Sequence, residues 1–393
     1  MLNKNKIKLI ISIVLGLVST FVLLIVIVEH FYYFYYPSMR AWDFILACII
    51  YAFVILFLVL WNMKSRSGYT YLILLAPVAC ILVIIAVEVY DDRVRNTPEV
   101  YEGFNLEIYR PFRANNLLAE LDEVSEFKIN DNVPKLDGAT AFYPLYAAFA
   151  QAVYPTGEYL SYDLLRSAVL CTRTPNAYRS LLQGKVDIIF CLEPSQAQLQ
   201  QFHENNMNIK FVPIGKEAFV FFVNSKNAVS NLSVDDIQGI YTGRIKNWRF
   251  LNGMNRNILA YQRPEGSGSQ TILRKIMGDI PVIEPRKENV MQEMQGIINQ
   301  VATYRNFYNA VGYSFLMYAT EMVQDNQIKL LSINGIYPSV ETIQNGSYPF
   351  TVEFYAIYND TETKNENIEP FINWILSRQG QTLVSRTGYA PIN

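Results

Sequence analysis

The chain has 393 residues, 51% hydrophobic and 14% aromatic, with a formal net charge of −2. That length leaves room for more than one domain, and a near-neutral charge without blocks of one sign argues against nucleic acid or a polybasic membrane patch as a partner. Four cysteines are too few for a disulfide scaffold, and the two histidines, His30 and His203, lie far apart with no Cys or His cluster, so no metal or cofactor is expected and His-based triads have little to build on.

Ile7 to Val28, Trp42 to Trp61 and Tyr69 to Tyr90 are apolar stretches of about 20 residues, the length an α-helix needs to cross a bilayer. They predict a three-helix transmembrane region over residues 1–95, seated in the lipid bilayer. Lys4, Lys6 and Lys8 precede the first stretch, and Lys64 and Arg66 fill the loop between the second and third, so the N-terminus and that loop are expected in the cytoplasm and everything after Tyr90 outside. A cleaved signal peptide competes for the first stretch, but the apolar run is too long and no small-x-small site follows. Asp91 to about Pro134 is polar, mixed in charge and without steady periodicity, which predicts a linker over 96–124 leading into a domain over 125–393.

The domain alternates strand-like and helix-like segments. Lys135 to Ala139 leads to a helix from about Phe142 to Val153, Ser167 to Thr172 to one from Asn176 to Gln183, and Val186 to Leu192 to one from Ser195 to Asn205. That rhythm predicts an α/β fold with a parallel sheet and helices on both faces. Long apolar strands follow at Ala218 to Val223 and Tyr348 to Tyr358, and Ile368 to Val384 reads as one amphipathic helix. The simplest arrangement is two α/β lobes, the first about 125–217 with 351–393, the second about 218–350, joined by paired strands.

The stretch Tyr261-Gln-Arg-Pro-Glu-Gly-Ser-Gly-Ser-Gln-Thr271 lies between a strand-like run, Asn257 to Tyr261, and a helix-like run, Gln270 to Met277. A strand turning through Gly266 and Gly268 into a helix start leaves unpaired N–H groups at the positive end of a helix dipole, which is a seat for an anion. Ser267 and Ser269 add hydroxyl donors, and Arg263 adds a planar guanidinium suited to a tetrahedral oxyanion. A serine-glycine turn capping an ordinary helix uses the same residues. The Gly-Lys-Ser/Thr ending of a P-loop is missing. Two further turns repeat the logic: Thr140, with the N–H groups of Ala141 and Phe142, follows a strand, and Thr174 precedes Pro175 at a helix start. Three such turns at carboxyl ends of strands in an open α/β sheet point to one ligand site.

Here a resemblance becomes specific. The Thr140 turn, Tyr178-Arg-Ser-Leu-Leu-Gln-Gly-Lys-Val-Asp-Ile188, Phe219-Val-Phe-Phe-Val-Asn224, Ile240-Tyr-Thr-Gly-Arg-Ile-Lys-Asn-Trp248, Arg263-Pro-Glu-Gly-Ser-Gly-Ser269 and Gly312-Tyr-Ser occur in the order seen in periplasmic phosphate-binding proteins of ABC importers. From about Lys135 to Asn393 the chain resembles that family, whose fold is a two-lobed periplasmic-binding-protein domain of Venus-flytrap type. The three-helix anchor is not part of the usual family pattern. The resemblance implies that Thr140, Ala141, Thr174, Arg263, Ser267, Gly268 and Ser269 surround a dehydrated oxyanion between closing lobes. The family also places an aspartate after the third strand to accept the proton of hydrogen phosphate; here Leu192 aligns with it, and Glu193 next door is the candidate for that role, with a solvated strand end as the other reading. In the same fold the first strand of a lobe lies between the second and third, so Cys171 and Cys191 are expected as two buried free thiols.

The leading expectation is a membrane-tethered solute-binding protein that captures inorganic phosphate, or a similar oxyanion, for an ABC permease. The alternative is a membrane sensor or interaction protein using the same lobes. An enzyme ranks behind both, because no positioned base accompanies Ser267 or Ser269.

Overall fold

A computed structural model describes residues 105–285, 289–303, 308–323, 325–360 and 365–392. Residues 1–96 and 97–393 are separate compact units. The three predicted spans lie outside the described residues, and among the described residues no helix is long and apolar enough to cross a membrane.

The first lobe is built on β1 (Leu136–Gly138) and β2 (Ile188–Cys191), paired parallel with Leu136 opposite Ile188. All four β2 residues are buried, so side chains that alternate between faces demand cover on both. Ile188 and Phe190 meet α1 (Tyr143–Val153), where the Tyr146 ring stacks on Phe190 at 4.9 Å. Ile189 and Cys191 pack with Tyr178 and Leu181 of α2 (Thr174–Leu182) and Phe202 of α3 (Gln196–Glu204). The predicted strand at Ser167 to Thr172 contracts to a single parallel bridge between Val169 and Leu136. Beyond it, the Thr172 N–H and hydroxyl turn to the buried Asp137 carboxylate, at 2.7 and 2.5 Å, instead of to a sheet neighbour. β1 therefore lies between the segments carrying Cys171 and Cys191, and both cysteines are free.

β3 (Ile209–Asn224) serves both lobes. The second lobe follows it with β4 (Asn231–Leu232), α4 (Val234–Tyr241), β5 (Leu259–Ala260), α5 (Gly268–Met277), α6 (Met294–Thr303), β6 (Ala310–Phe315), β7 (Ile328–Leu330), β8 (Ser332–Ile333) and α7 (Val340–Gln344). β9 (Thr351–Asn359) then returns to the first lobe. Residues Ile209 to Ala218 of β3 pair antiparallel with β9, whereas Phe219 to Val223 pair with β6. The sheet order is β1-β2-β9-β3-β6-β5, with β7 also on β3. Every residue of the run Ala218 to Val223 is fully buried, as a strand covered on both faces requires. The register slips between Pro213 and Gly215, a bulge where a proline without N–H is tolerated.

Two segments depart from the sequence reading. Residues 105–124, expected as a linker, pack on the first lobe: Tyr109 and Leu118 are buried, and the Phe112 N–H donates to Gln151 Oε1 at 3.0 Å. Their apolar residues are too sparse to show a period: Tyr109 and Leu118 join the core, whereas Leu117 and Val124 stay exposed. The C-terminal helix is two, α8 (Ile368–Leu376) and α9 (Arg378–Arg386), broken at Ser377 with ψ 171. The fold-back is so close that a Cβ on Gly380 would meet Ile375 O at 2.2 Å, and Gln381 Nε2 donates to that carbonyl at 3.1 Å.

Candidate functional site

A cavity of about 310 Å³ opens at the carboxyl ends of the strands, lined from both lobes. Three helix starts face it. After β1 the chain enters a 3-10 turn, Thr140–Phe142, whose first internal bond runs from the Phe142 N–H to Ala139 O at 2.9 Å. The N–H groups of Thr140 and Ala141 precede that bond, as the first donors of any helix do. Thr174 opens α2, with Pro175 fitting the first turn, where a missing N–H costs nothing. Ser267 caps α5: its Oγ accepts the Gln270 N–H at 3.3 Å, and Gly266 supplies the left-handed φ of 79° that the turn requires. Thr174 and α5 meet across the cavity, since a Cβ on Gly268 would lie 3.3 Å from Thr174 Oγ1.

Arg263 is held by its backbone, whose N–H donates to Tyr313 Oη at 2.8 Å and to Gln270 Oε1 at 3.1 Å. Its guanidinium lines the cavity with Nε and Nη1 buried and without hydrogen-bond partners, and Ser269 Oγ is orphaned in the same way. Burial lowers the Arg263 pKa to about 10, which still leaves it charged at neutral pH. Buried donors of this kind cost roughly 1–3 kcal/mol each when unsatisfied, and more when charged. The arrangement suits an anion with several oxygens.

Of the residues singled out from sequence, Thr140, Thr174, Arg263, Ser267, Gly268 and Ser269 share this one wall. Ala141 is not among the lining residues: its side chain is buried and its carbonyl accepts the Tyr389 hydroxyl, while its N–H, the group the sequence reading assigned to the ligand, stays in the first turn beside Thr140. Glu193 does not join either. Leu192 lines the cavity, and strand alternation turns the next side chain to the opposite face, where Glu193 pairs with Lys275 of α5 and accepts the Tyr355 hydroxyl at 3.3 Å. Cys191 is buried as expected, but Cys171 is only partly covered and forms part of the wall; burial pushes its thiol up to about 12. Sequence reasoning assigned no role to Arg173 and missed Glu293 and Tyr318, all three in the wall. Arg173 directly precedes Thr174, so it adjoins a helix start that the sequence does mark. Glu293 precedes α6 in a stretch with no strand or glycine turn to mark it.

The pattern of the PBP superfamily domain matches residues 132–379. Among relatives, the phosphate-binding protein PstS of Bacillus subtilis is 28% identical over 174 residues, 43% of this chain and 53% of that protein. PstS of Borreliella burgdorferi is 20% identical over 268 residues, 67% of this chain and 91% of that protein. The chain thus spans about half the length of the first relative and nine-tenths of the second. A Clostridium perfringens substrate-binding protein solved with bound phosphate superposes with a TM-score of 0.51 at 20% identity, over 68% of this chain and 100% of the other. At that identity the likeness speaks for the fold: two α/β lobes of the periplasmic-binding-protein kind.

Proposed function

The chain belongs to the PBP superfamily, and from that membership we propose that it is a membrane-tethered, extracytoplasmic solute-binding protein that captures inorganic phosphate, or a related tetrahedral oxyanion, for an ABC permease. The observation that carries the reading is Arg263, whose Nε and Nη1 are buried in the cavity wall without partners. An oxyanion seated there takes two charge-assisted hydrogen bonds from the guanidinium and further ones from Ser269, Thr140 and Thr174. Relatives named phosphate-binding proteins support the choice of anion. Residues about 125–217 with 351–393 act as one lobe and 218–350 as the other, closing by a hinge in the strands they share. The tether rests on the three apolar stretches within residues 1–95.

Isothermal titration of the detergent-solubilised full chain with phosphate tests the binding. Saturable uptake of one phosphate per chain is expected, and the absence of heat together with an unmoved melting temperature would remove phosphate as ligand. Cysteine-accessibility labelling of intact cells tests the topology: a probe replacing Val100 should react and one replacing Ser65 should not. A second reading, a membrane sensor built on the same lobes, is favoured by one feature, since three spans exceed what an anchor requires. Phosphate uptake that persists in cells deleted for the chain would favour the sensor.

A further inference from the structure

The cavity is larger than an inorganic oxyanion needs. The lobes already meet around it: a Cβ on Gly268 would lie 3.3 Å from Thr174 Oγ1, Arg173 pairs with Glu293 at 2.5 Å, and Glu193 pairs with Lys275, each contact joining the first lobe to the second. The space of about 310 Å³ is therefore what remains with the lobes in contact. Phosphate has five heavy atoms, and at roughly 30 Å³ for each, the share of one water in the liquid, it fills about 150 Å³ at most. Half of the space is left for a further group.

The chemistry of the wall identifies that group. Arg263 Nε and Nη1 and Ser269 Oγ, buried and without partners, suffice for one anionic head, and the charges of Arg173 and Glu293 are spent on each other. Leu106, Leu192, Met294 and Phe315 give the wall an apolar part. Leu192 Cδ1 comes within 3.4 Å of where a Cβ on Gly268 would lie, so hydrocarbon stands beside the start of α5. An oxygen pressed on such a surface gives up its water without a hydrogen bond in return, whereas a carbon gains by burial. Leu106 comes from outside the shared pattern: it precedes residue 132, where the superfamily match begins, and packs against the core.

We infer that the cavity takes a phosphorus oxyanion carrying one short alkyl substituent, an alkylphosphonate or an alkyl phosphate monoester. The oxygens of the head take the donors of Arg263 and Ser269, and the alkyl group lies against Leu106, Leu192, Met294 and Phe315. The inference rests on the reading of the cavity as an oxyanion site, and deepens it by naming the class of ligand.

The test is titration of the detergent-solubilised full chain at mildly alkaline pH, where phosphate and methyl-, ethyl- and propylphosphonate are all dianions. Affinity should rise about fourfold per methylene along the phosphonate series, and propylphosphonate should bind at least about tenfold more tightly than phosphate. Ethyl phosphate puts an ester oxygen where propylphosphonate has a methylene: binding at least as tight assigns phosphate monoesters, weaker binding assigns phosphonates, and both support the class. Leu106→Trp fills the space of the substituent and should weaken propylphosphonate by about tenfold or more while moving phosphate by less than about twofold. Where the melting curve shows that this chain does not fold, Leu106→Ala supplies the same contrast by removing hydrocarbon from the wall, with a loss of about fivefold for propylphosphonate alone. Affinities that stay flat or fall with alkyl length, phosphate binding as tightly as propylphosphonate, or equal losses of both anions in the folded variant would overturn the inference and leave the oxyanion site standing. Binding of none of these anions would overturn the functional reading itself.

Discussion

The backbone N–H of Arg263 donates to the phenolic oxygen of Tyr313 at 2.8 Å, so the loop that carries the guanidinium is fastened to β6. Gln270 of α5 takes the same N–H at 3.1 Å and also accepts the Tyr313 hydroxyl. The backbone is thus fixed twice, and the guanidinium keeps its donors for a ligand. Arg263→Ala should lower anion affinity by more than ~2 kcal/mol, because it removes the strongest charge-assisted partner. Arg263→Lys should fall between, keeping the charge but losing the planar fork. Tyr313→Phe should cost only about 1 kcal/mol, since Gln270 still holds the N–H. Unchanged titration curves for Arg263→Ala would remove that residue from the site.

Two glycines should separate binding from folding. A Cβ on Gly268 would lie 3.3 Å from Thr174 Oγ1 and 3.4 Å from Leu192 Cδ1, both on the opposite lobe. Gly268→Ala should therefore obstruct closure and weaken anion binding about tenfold, roughly 1.4 kcal/mol, while the melting temperature holds because alanine suits a helix. A Cβ on Gly138 would lie 2.5 Å from Phe190 O and 2.9 Å from Tyr146 Cε1, inside the first lobe. Gly138→Ala should instead lower stability by more than ~2 kcal/mol. Melting curves and titrations on both variants check the contrast, and a Gly268→Ala chain that binds normally would place the lobes farther apart than the structure has them.

Cys171 and Cys191 should both be alkylated in the denatured, unreduced chain, since neither is bridged. In the native chain Cys191 should resist, being fully buried, and Cys171 should react slowly, because burial pushes its thiol up to about 12 and the thiolate is the reactive form. Mass spectrometry after timed alkylation reads both; an intact Cys171 to Cys191 bridge would contradict the strand order around β1.

Which parts of the site could be read from sequence follows from how local their signals are. Thr140, Thr174 and Ser267 each stand where a strand-like run turns into a helix-like one, so propensity and capping chemistry mark them within a few residues. That β1 lies between the segments carrying Cys171 and Cys191 carries no local signal, and the expectation came from the family resemblance instead. Glu193 was misplaced because one residue decides which face of a strand a side chain takes, and that register is set by packing of Leu192 against the core. Glu293 comes to the wall through tertiary placement of α6, with Arg173 120 residues away in the chain. The break at Ser377 is equally non-local: the apolar period runs on, but Gln381 bridges Ile214 O and Ile375 O and turns α9 back.

The last prediction concerns Glu217, which lies on β3 one residue before Ala218, where the strand exchanges β9 for β6. Its carboxyl accepts the Ala218 N–H at 2.8 Å and the Met317 N–H at 3.3 Å, tying the shared strand to the segment that leaves β6. Burial raises its pKa to about 8 from 4.5, against the pull of those N–H donors, which favour the charged form. The folded chain therefore holds one more proton than the unfolded chain between those values. The resulting stability is fully present below the unfolded pKa and is lost as pH rises through the folded one, at no more than about 1.4 kcal/mol per pH unit. Glu217→Gln cannot titrate, so wild type should lose stability relative to the variant from pH 5 to pH 8, and the two should run parallel above pH 9. Asp137, also raised by burial, slopes in the same direction in both chains and cancels in the comparison. Melting temperatures of both chains at unit pH intervals supply the measurement, and curves that stay parallel from pH 5 to 8 would mean that Glu217 keeps its charge at the junction of the lobes.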